Sequence, residues 1–385
     1  MIYQKQLHPH HEKLHHILSA SIVLLRRNAV LAVAAVLAII TSCIVKPDAQ
    51  YANYFDWKTL TCLFCTLAVV CALKNIRFFT ILARKIVDCT GNLRISVIAI
   101  VYITFLGSML ISNDMALLTF LPLGFFVLTS TGKQKHMAFV FIMQNIAANL
   151  GGMLTPFGNP QNLYLYSKFN IPTGEFMGIM LIPFLSAITL ITVCCLFLPR
   201  ERLTITEPCP HKLPAARTAI YLVLFAFSII IVFRLIPYWI GLILIPASLF
   251  LLDRDALRKV DYGLLATFFC FFIFAGNMAR IPAVSELFSS LLQKNTLLFS
   301  ILSCQVISNV PSSILLSQFT LDYPALLVGV NIGGTGTLIA SLASLITFRE
   351  YTAHNPEKTK SYLFQFTAYS FGFVIVLTAI SMLTL

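Results

Sequence analysis

The sequence predicts an all-α polytopic membrane protein built from two inverted repeats, about ten spans in all. Three observations lead there. The chain is 58% hydrophobic with only 11% charged residues, against about 25% charged for a soluble domain. One interrupted apolar stretch occurs twice. The basic residues divide unevenly between the two sides that the spans define.

The repeated stretch is Asn149-Leu-Gly151-Gly152-Met-Leu-Thr155-Pro156-Phe-Gly158-Asn159-Pro160-Gln161-Asn162, matched without a gap by Asn331-Ile-Gly333-Gly334-Thr-Gly-Thr337-Leu-Ile-Ala340-Ser341-Leu-Ala343-Ser344. Glycine pairs free the backbone from helical dihedrals, and a break at membrane depth survives only where it faces protein or a water-filled cavity. Interrupted segments at corresponding places in two halves are a sequence pointer to a transporter's binding site. Helix packing alone would explain the glycines, but not the matched Asn, Thr and Ser positions.

Taken in order, residues 1–27 hold His8, His10, His11, His15 and His16 and read as a cytoplasmic or interfacial segment. The first repeat runs over 28–198, with spans near 28–45 and 57–73. An amphipathic stretch at 74–94 carries Lys74, Arg77, Arg84, Lys85 and Arg94. A helical hairpin follows, its arms at 95–111 and 115–130 joined by Ser112-Asn113-Asp114, then the interrupted segment at 136–163 and a span at 175–198. A proline-rich linker, 199–216, separates the halves. The second repeat, 217–385, has spans near 217–235, 238–252 and 262–277 and a short amphipathic piece at 281–293. Its hairpin lies at 296–320, with Ser308-Asn309-Val310-Pro311 near the tip. The interrupted segment at 325–347 and a final span at 361–383 complete it. Asp56-Trp57-x-x-Leu60 and Asp261-Tyr262-x-x-Leu265 are a further sign of duplication.

With the N-terminus inside, 21 of the 27 Lys and Arg residues fall in inner segments, as the positive-inside rule requires. That orientation puts the ends of the first hairpin inside and those of the second outside, so the halves are inverted. The net charge of +12 therefore reflects membrane orientation rather than a nucleic-acid partner. The partners expected are a small anionic substrate and the lipid bilayer of the cell (inner) membrane; a homodimer is compatible with both. Cys62-x-x-Cys65 sits in an apolar run without a His or acidic neighbour and reads as packing.

Short hydroxyl and amide side chains beside free carbonyls suit a hard cation, while helix N-termini at the same breaks offer N–H groups to an anion. Asp114 is the informative acid. It sits at the first tip, far along the chain from Arg94 and Lys133. Intramembrane acids mark ion or proton pathways, and the alternative role is to cap the second arm through the N–H of Ala116 or Leu117. No enzyme constellation is present.

At Ser112-Asn113-Asp114, Asn149 to Asn162, Ser308-Asn309-Val310-Pro311 and Asn331 to Ser344, the chain resembles the ion transporter superfamily of citrate and divalent-anion:sodium symporters and arsenite permeases. The run Phe271 to Asn277 looks like that family's second-half entry helix. The resemblance covers about residues 28–385 and implies two inverted repeats, each with a re-entrant hairpin and a broken helix, working by alternating access. By motif, Ser112, Asn113, Gly158 and Asn159 would form one ion or substrate site, and Ser308, Asn309, Ala340 and Ser341 its counterpart. Sodium would sit at Ser112, Asn113 and Gly158 and at Ser308, Asn309 and Ala340. Asn149, Gly151, Gly152, Thr155, Asn162, Pro311, Asn331, Gly333, Gly334, Thr337 and Ser344 complete the candidate site. No cofactor is expected beyond Na+ or H+ as coupling ion. The family's Ser-Asn-Thr tips end here in Asp114 and Val310, and its two-proline signature reads Asn159-Pro160-Gln161-Asn162. These departures lean away from di- and tricarboxylates toward the general-anion branch. A Na+/H+ antiporter with Asp114 as exchange site is the alternative of the same fold; a channel or a receptor is the other class.

Overall fold

The computed structural model describes residues 29–88, 90–202 and 213–385. The His-rich segment 1–27 and most of the linker lie outside the described residues. The described residues form helices, with one isolated bridge between Asn92 and Arg202. In chain order the helices are α1 (Ala29–Ile44), α2 (Trp57–Asn75), α3 (Phe78–Asp88), α4 (Leu93–Ile111), α5 (Asn113–Ser130), α6 (Met137–Gly151), α7 (Pro160–Lys168), α8 (Thr173–Leu196) and α9 (Ala215–Val232). They continue with α10 (Tyr238–Leu252), α11 (Arg254–Arg258), α12 (Tyr262–Ala279), α13 (Pro282–Lys294), α14 (Thr296–Ile307), α15 (Asn309–Leu316), α16 (Tyr323–Gly333), α17 (Leu342–His354) and α18 (Thr359–Thr384). Among the described residues, eight helices are long and apolar enough to cross a membrane, so the protein is an integral membrane protein.

Boundaries follow local chemistry. Asp56 and Asp261 each cap the helix they precede, accepting from Thr59 N–H at 3.0 Å and Leu264 N–H at 2.9 Å. Asn92 and Asn295 do the same for α4 and α14, accepting from Arg94 N–H at 2.9 Å and Leu298 N–H at 2.8 Å. The duplicated Asp-aromatic dipeptides are thus duplicated helix starts. The amphipathic stretch 74–94 resolves into α3, bounded by Arg77 in a left-handed turn (φ 56°), and the cap of α4.

Two compact units emerge. The smaller takes the chain up to Phe55 together with residues 261–281. In it α1 packs on α12, and Asn277 donates to Thr41 Oγ1 and Ser42 Oγ, both at 3.2 Å. Arg280 grips Asp48 at 2.7 and 3.0 Å and the Tyr54 hydroxyl at 3.1 Å. Gly276 lets the Tyr54 ring lie directly on the helix backbone.

The larger unit holds residues 56–260 and 282–385 and contains both hairpins and both broken helices. Arms α4 and α5 pack on each other and on α6; arms α14 and α15 do so with each other and α16. The continuations beyond the breaks cross over. Helix α7 packs on α15 and α16 of the other half, and α17 packs on α5 and α6. At the ends of these crossing helices Tyr164 OH bonds Ser317 Oγ at 2.8 Å, and the His354 ring stacks on Phe125 at 4.0 Å. The first hairpin's base is strapped by residues after α8: Leu93 N–H donates to the Glu201 carbonyl at 2.8 Å, and Lys133 and Lys135 pair with the Glu201 carboxylate.

Two sequence expectations change here. The first hairpin turns on one residue, not three, because Ser112 takes up the whole reversal, and Ser308 alone joins the arms of the second. The second interrupted segment also runs on to His354, seven residues beyond the expected 347.

Candidate functional site

Ser112 and Ser308 share one unusual conformation, φ 69° with ψ 157° and φ 73° with ψ 162°. A side chain rarely adopts that region, which costs of order 1–3 kcal/mol and persists only where the surroundings impose it. Both tips are held in the same way. Asn113 Oδ1 accepts from Asp114 N–H at 3.0 Å, and Asn309 Oδ1 from Val310 N–H at 2.9 Å. Thr155 Oγ1 donates to the Met109 carbonyl and Thr337 Oγ1 to the Gln305 carbonyl, both at 3.1 Å. Met109 and Gln305 each lie three residues before their tip serine. The repeat is therefore present in backbone torsions and hydrogen bonds as well as in residue types.

The glycine pairs are required by close approach. A Cβ on Gly151 would enter the Phe105 carbonyl, and one on Gly152 would meet Asn159 Oδ1 at 2.5 Å and the Gly158 carbonyl at 2.9 Å. A Cβ on Gly333 would meet the Cys304 side chain at 2.9 Å, and one on Gly334 Asn309 Nδ2 at 2.8 Å. The helices stop at these glycines and resume after Asn159 and Ser341.

Between the breaks runs a buried amide network. Asn113 donates to Asn149 Oδ1 at 3.1 Å. Asn149 Nδ2 bonds the Asn145 carbonyl at 3.1 Å, and Asn145 Nδ2 reaches Ser344 Oγ of the other half at 3.2 Å. Asn159 Nδ2 bridges the Asn149 carbonyl and Asn331 Oδ1, each at 3.3 Å. Asn331 Nδ2 donates to Asn162 Oδ1 at 2.6 Å, and Asn162 Nδ2 in turn holds the Gly152 carbonyl at 3.1 Å. Ser341 caps α17, accepting from Ser344 N–H at 3.2 Å. The Ala340 carbonyl accepts from Asn309 N–H at 2.9 Å and Ser308 Oγ at 3.1 Å. Among the described residues no Lys, Arg, Asp, Glu or His is buried.

Most of the expected site residues thus meet around one network. Pro311 is buried in the first turn of α15 and takes no part in the bonds described. Asp114 is half-buried and sits second in α5 rather than before it, so it is not the N-cap; Ser112 is, through its carbonyl, which accepts from Ala116 N–H at 2.9 Å. Sequence reasoning missed Asn145, Gln161 and Gln305. Asn145 was detectable as one turn before Asn149 on an apolar helix. Gln305 has no counterpart in the first half: it donates to the Gly333 carbonyl and accepts from Thr337 N–H, at 2.9 and 2.8 Å.

A family model described as "Citrate transporter" matches residues 17–324. The chain belongs to the citrate transporter family. Uncharacterized transporter MJ0456 of Methanocaldococcus jannaschii is 31% identical over 295 residues, 76% of this chain and 81% of the relative. Inner membrane protein YbiR of Escherichia coli is 30% identical over 307 residues, 76% and 80% of the two chains. In this citrate transporter family member the matched region spans the first hairpin, the first break with α7, and the second hairpin with its tip, and stops before α17.

Proposed function

We propose that the chain is a secondary active transporter that moves a small anion, of carboxylate or oxyanion type, coupled to Na+ or H+ by alternating access of two inverted halves. The observation that carries this reading is the pair of equally strained Ser-Asn tips, each tied to its own broken helix and meeting the other through Asn149, Asn159 and Asn331. Crossing partners of α7 and α17 support the two-fold relation, and the Lys and Arg distribution supports its inversion in the membrane.

A site with no buried fixed charge cannot hold an anion by ion pairing. Helix N-termini at α5, α7, α15 and α17 supply partial positive charge. A co-bound cation at Ser112, Asn113 and Gly158 or at Ser308, Asn309 and Ala340 supplies the rest, and that mutual requirement is coupling. An inner-membrane location with the N-terminus cytoplasmic accords with the charge distribution and with the printed name of the E. coli relative. Asp114, in the first turn beside the tip, supports the second reading, Na+/H+ exchange. Uptake of labelled anions into proteoliposomes under imposed Na+ or H+ gradients tests both. Gradient-driven anion accumulation establishes symport, whereas cation exchange without anion uptake establishes the antiporter.

A further inference from the structure

With the N-terminus inside, six of the 27 Lys and Arg residues fall on the outer side, where the positive-inside rule makes them scarce. Three of the six gather at one place: Lys58 in the first turn of α2, Lys168 at the end of α7 and Arg234 just past α9. Helix α2 packs on both α7 and α9, which brings these ends together. The Asp56 carboxylate lies within electrostatic range of both lysines, and Arg234 lies within range of Lys58. The Arg234 guanidinium covers the ring of Tyr166, two residues before Lys168, at 4.0 Å.

Among the described residues none of the three pairs with a carboxylate, whereas Arg280, also on the outer side, holds Asp48. Asp56 is occupied by its cap, accepting from Thr59 N–H at 3.0 Å and Thr59 Oγ1 at 2.6 Å. Lys168 meets the neutral Gln318 Oε1 at 3.4 Å.

Arg234 stands where a turn of this kind usually takes glycine. Its N–H bonds the Ile231 carbonyl at 3.0 Å and Leu235 N–H the Ile230 carbonyl at 3.2 Å, closing α9 with Arg234 at φ 65°. The side chain is fixed by the Tyr166 ring and by the Tyr166 carbonyl, to which a terminal nitrogen donates. Its Nε–H is buried and has no acceptor, a costly state for a charged donor. A carboxylate or oxyanion answers it, because a guanidinium offers such groups parallel N–H donors. Capping the negative end of α7 explains the bond to the Tyr166 carbonyl, but neither the unmet Nε–H nor the unpaired lysines. The neighbouring Phe233 sets its ring against Phe157 of the first break at 5.8 Å. From that break α7 leads to Lys168 in nine residues, about 14 Å.

Resting on the transport reading above, we propose that Lys58, Lys168 and Arg234 form an outer receiving site that captures the small carboxylate or oxyanion before it reaches the break. The central network has no fixed charge, so this site supplies the attraction and the network the coupling.

Uptake of labelled citrate, phosphate and sulfate is measured with the full chain in proteoliposomes, from each side in turn. Choline chloride is raised from about 0.01 M to about 1 M, which shortens the Debye length from about 30 Å to about 3 Å. For the anion carried, the parent's outer KM is expected to rise about tenfold with kcat unchanged. Lys58→Gln combined with Lys168→Gln should begin at the high outer KM, lose the salt dependence and keep the parent's inner KM. Lys168 is exposed, so Lys168→Gln alone carries the test if the double variant fails to insert. Binding is read apart from transport by acylating lysines with a membrane-impermeant reagent and mapping the products by mass spectrometry. At constant ionic strength the anions should protect Lys58 and Lys168 and leave the exposed Lys294 unprotected. Lysines labelled equally with and without every anion, or variants that keep the parent's outer KM and salt dependence, overturn the inference and leave the transport reading standing. Protection with no uptake of any of the three upholds the anion site and overturns the transport reading instead.

Discussion

The two hairpin-and-break pairs share a joint and differ in what surrounds it. The first hairpin has arms of 19 and 18 residues, the second of 12 and 8. At 1.5 Å per residue the first arms are about 27–29 Å long, close to the thickness of the hydrocarbon core, while the second are about 18 and 12 Å. The first break holds Pro156 and Pro160 and is stitched by amides: Asn159, Gln161 and Asn162 all reach Asn331 or the backbone. The second holds no proline and is closed by Ser341, Ser344 and the Ala340 carbonyl. Amides such as Asn159 and Asn162, each bonded to more than one neighbour, resist rearrangement more than rotatable hydroxyls do. The first break is therefore expected to be the stiffer partner, and under the alternating access proposed above movement would concentrate in the second.

The largest effect should come at the glycines, and it should be unequal. Gly152→Ala drives a Cβ at backbone as well as at Asn159, whereas the atoms nearest a Cβ on Gly334 belong to the Asn309 side chain, which can swing. Costs of about 3 and about 1 kcal/mol are expected on that basis. Thermal unfolding in detergent, read beside uptake, should show Gly152→Ala nearly inactive and Gly334→Ala only weakened; equal losses would erase the contrast between the breaks.

Next in size is the amide bridge. Asn331→Ala deprives Asn162 Oδ1 of its donor and two amide nitrogens of their acceptor, which should lower stability by about 2–4 kcal/mol. Ser344→Ala removes the hydroxyl that Asn145 and Ser341 share and should cost about 1 kcal/mol. Denaturant titration followed by tryptophan fluorescence ranks the two, and a reversed order would make the second break the stiffer one.

Asp114→Asn bears on function rather than on stability. Its backbone N–H bond to Asn113 survives the substitution, so the protein should unfold at nearly the parent temperature. Accumulation against a gradient should disappear while exchange at equal concentrations persists. Unchanged dependence on pH and Na+ would place coupling in the second half instead.

The smallest effect concerns the strap on the first hairpin's base. Hydrogen bonds from Lys133 and Lys135 hold the Glu201 carboxyl below its ordinary value of 4.5. Because the folded value is the lower one, the stabilisation is complete above 4.5 and is lost as pH falls through the depressed value. Glu201→Gln should flatten the acid limb of the parent's stability–pH curve slightly, and no change would show the strap to be held by its backbone bonds alone.

What could be read from the residues was whatever they state locally. The Asp and Asn caps, the Gly-Gly breaks and the Ser-Asn tips all recur as short strings, and the helices begin, stop and turn at them. The torsion at the tips was not legible, because serine carries no preference for φ near 70° and the bonds that accompany it, among them those of Thr155 and Thr337, come from distant residues. The role of Gln161 was hidden for the same reason: its partner, Asn331, is 170 residues away. Exchange of α7 and α17 between halves is likewise a property of packing, on which neither segment's own residues bear.

One-residue joints also bear on how the gene can vary in length. A residue inserted after Ser112 would turn all of α5 by about 100° around its own axis. Asn113, Leu117 and Phe120, all buried, would then face the wrong neighbours, and the rotated arm would have no loop in which to absorb the error. The same holds at Ser308. A systematic scan of single-codon insertions and deletions across the gene should therefore show two sharp intolerant points, at residues 112 and 308. Connections such as 45–56 and 355–358 should accept the same lesions.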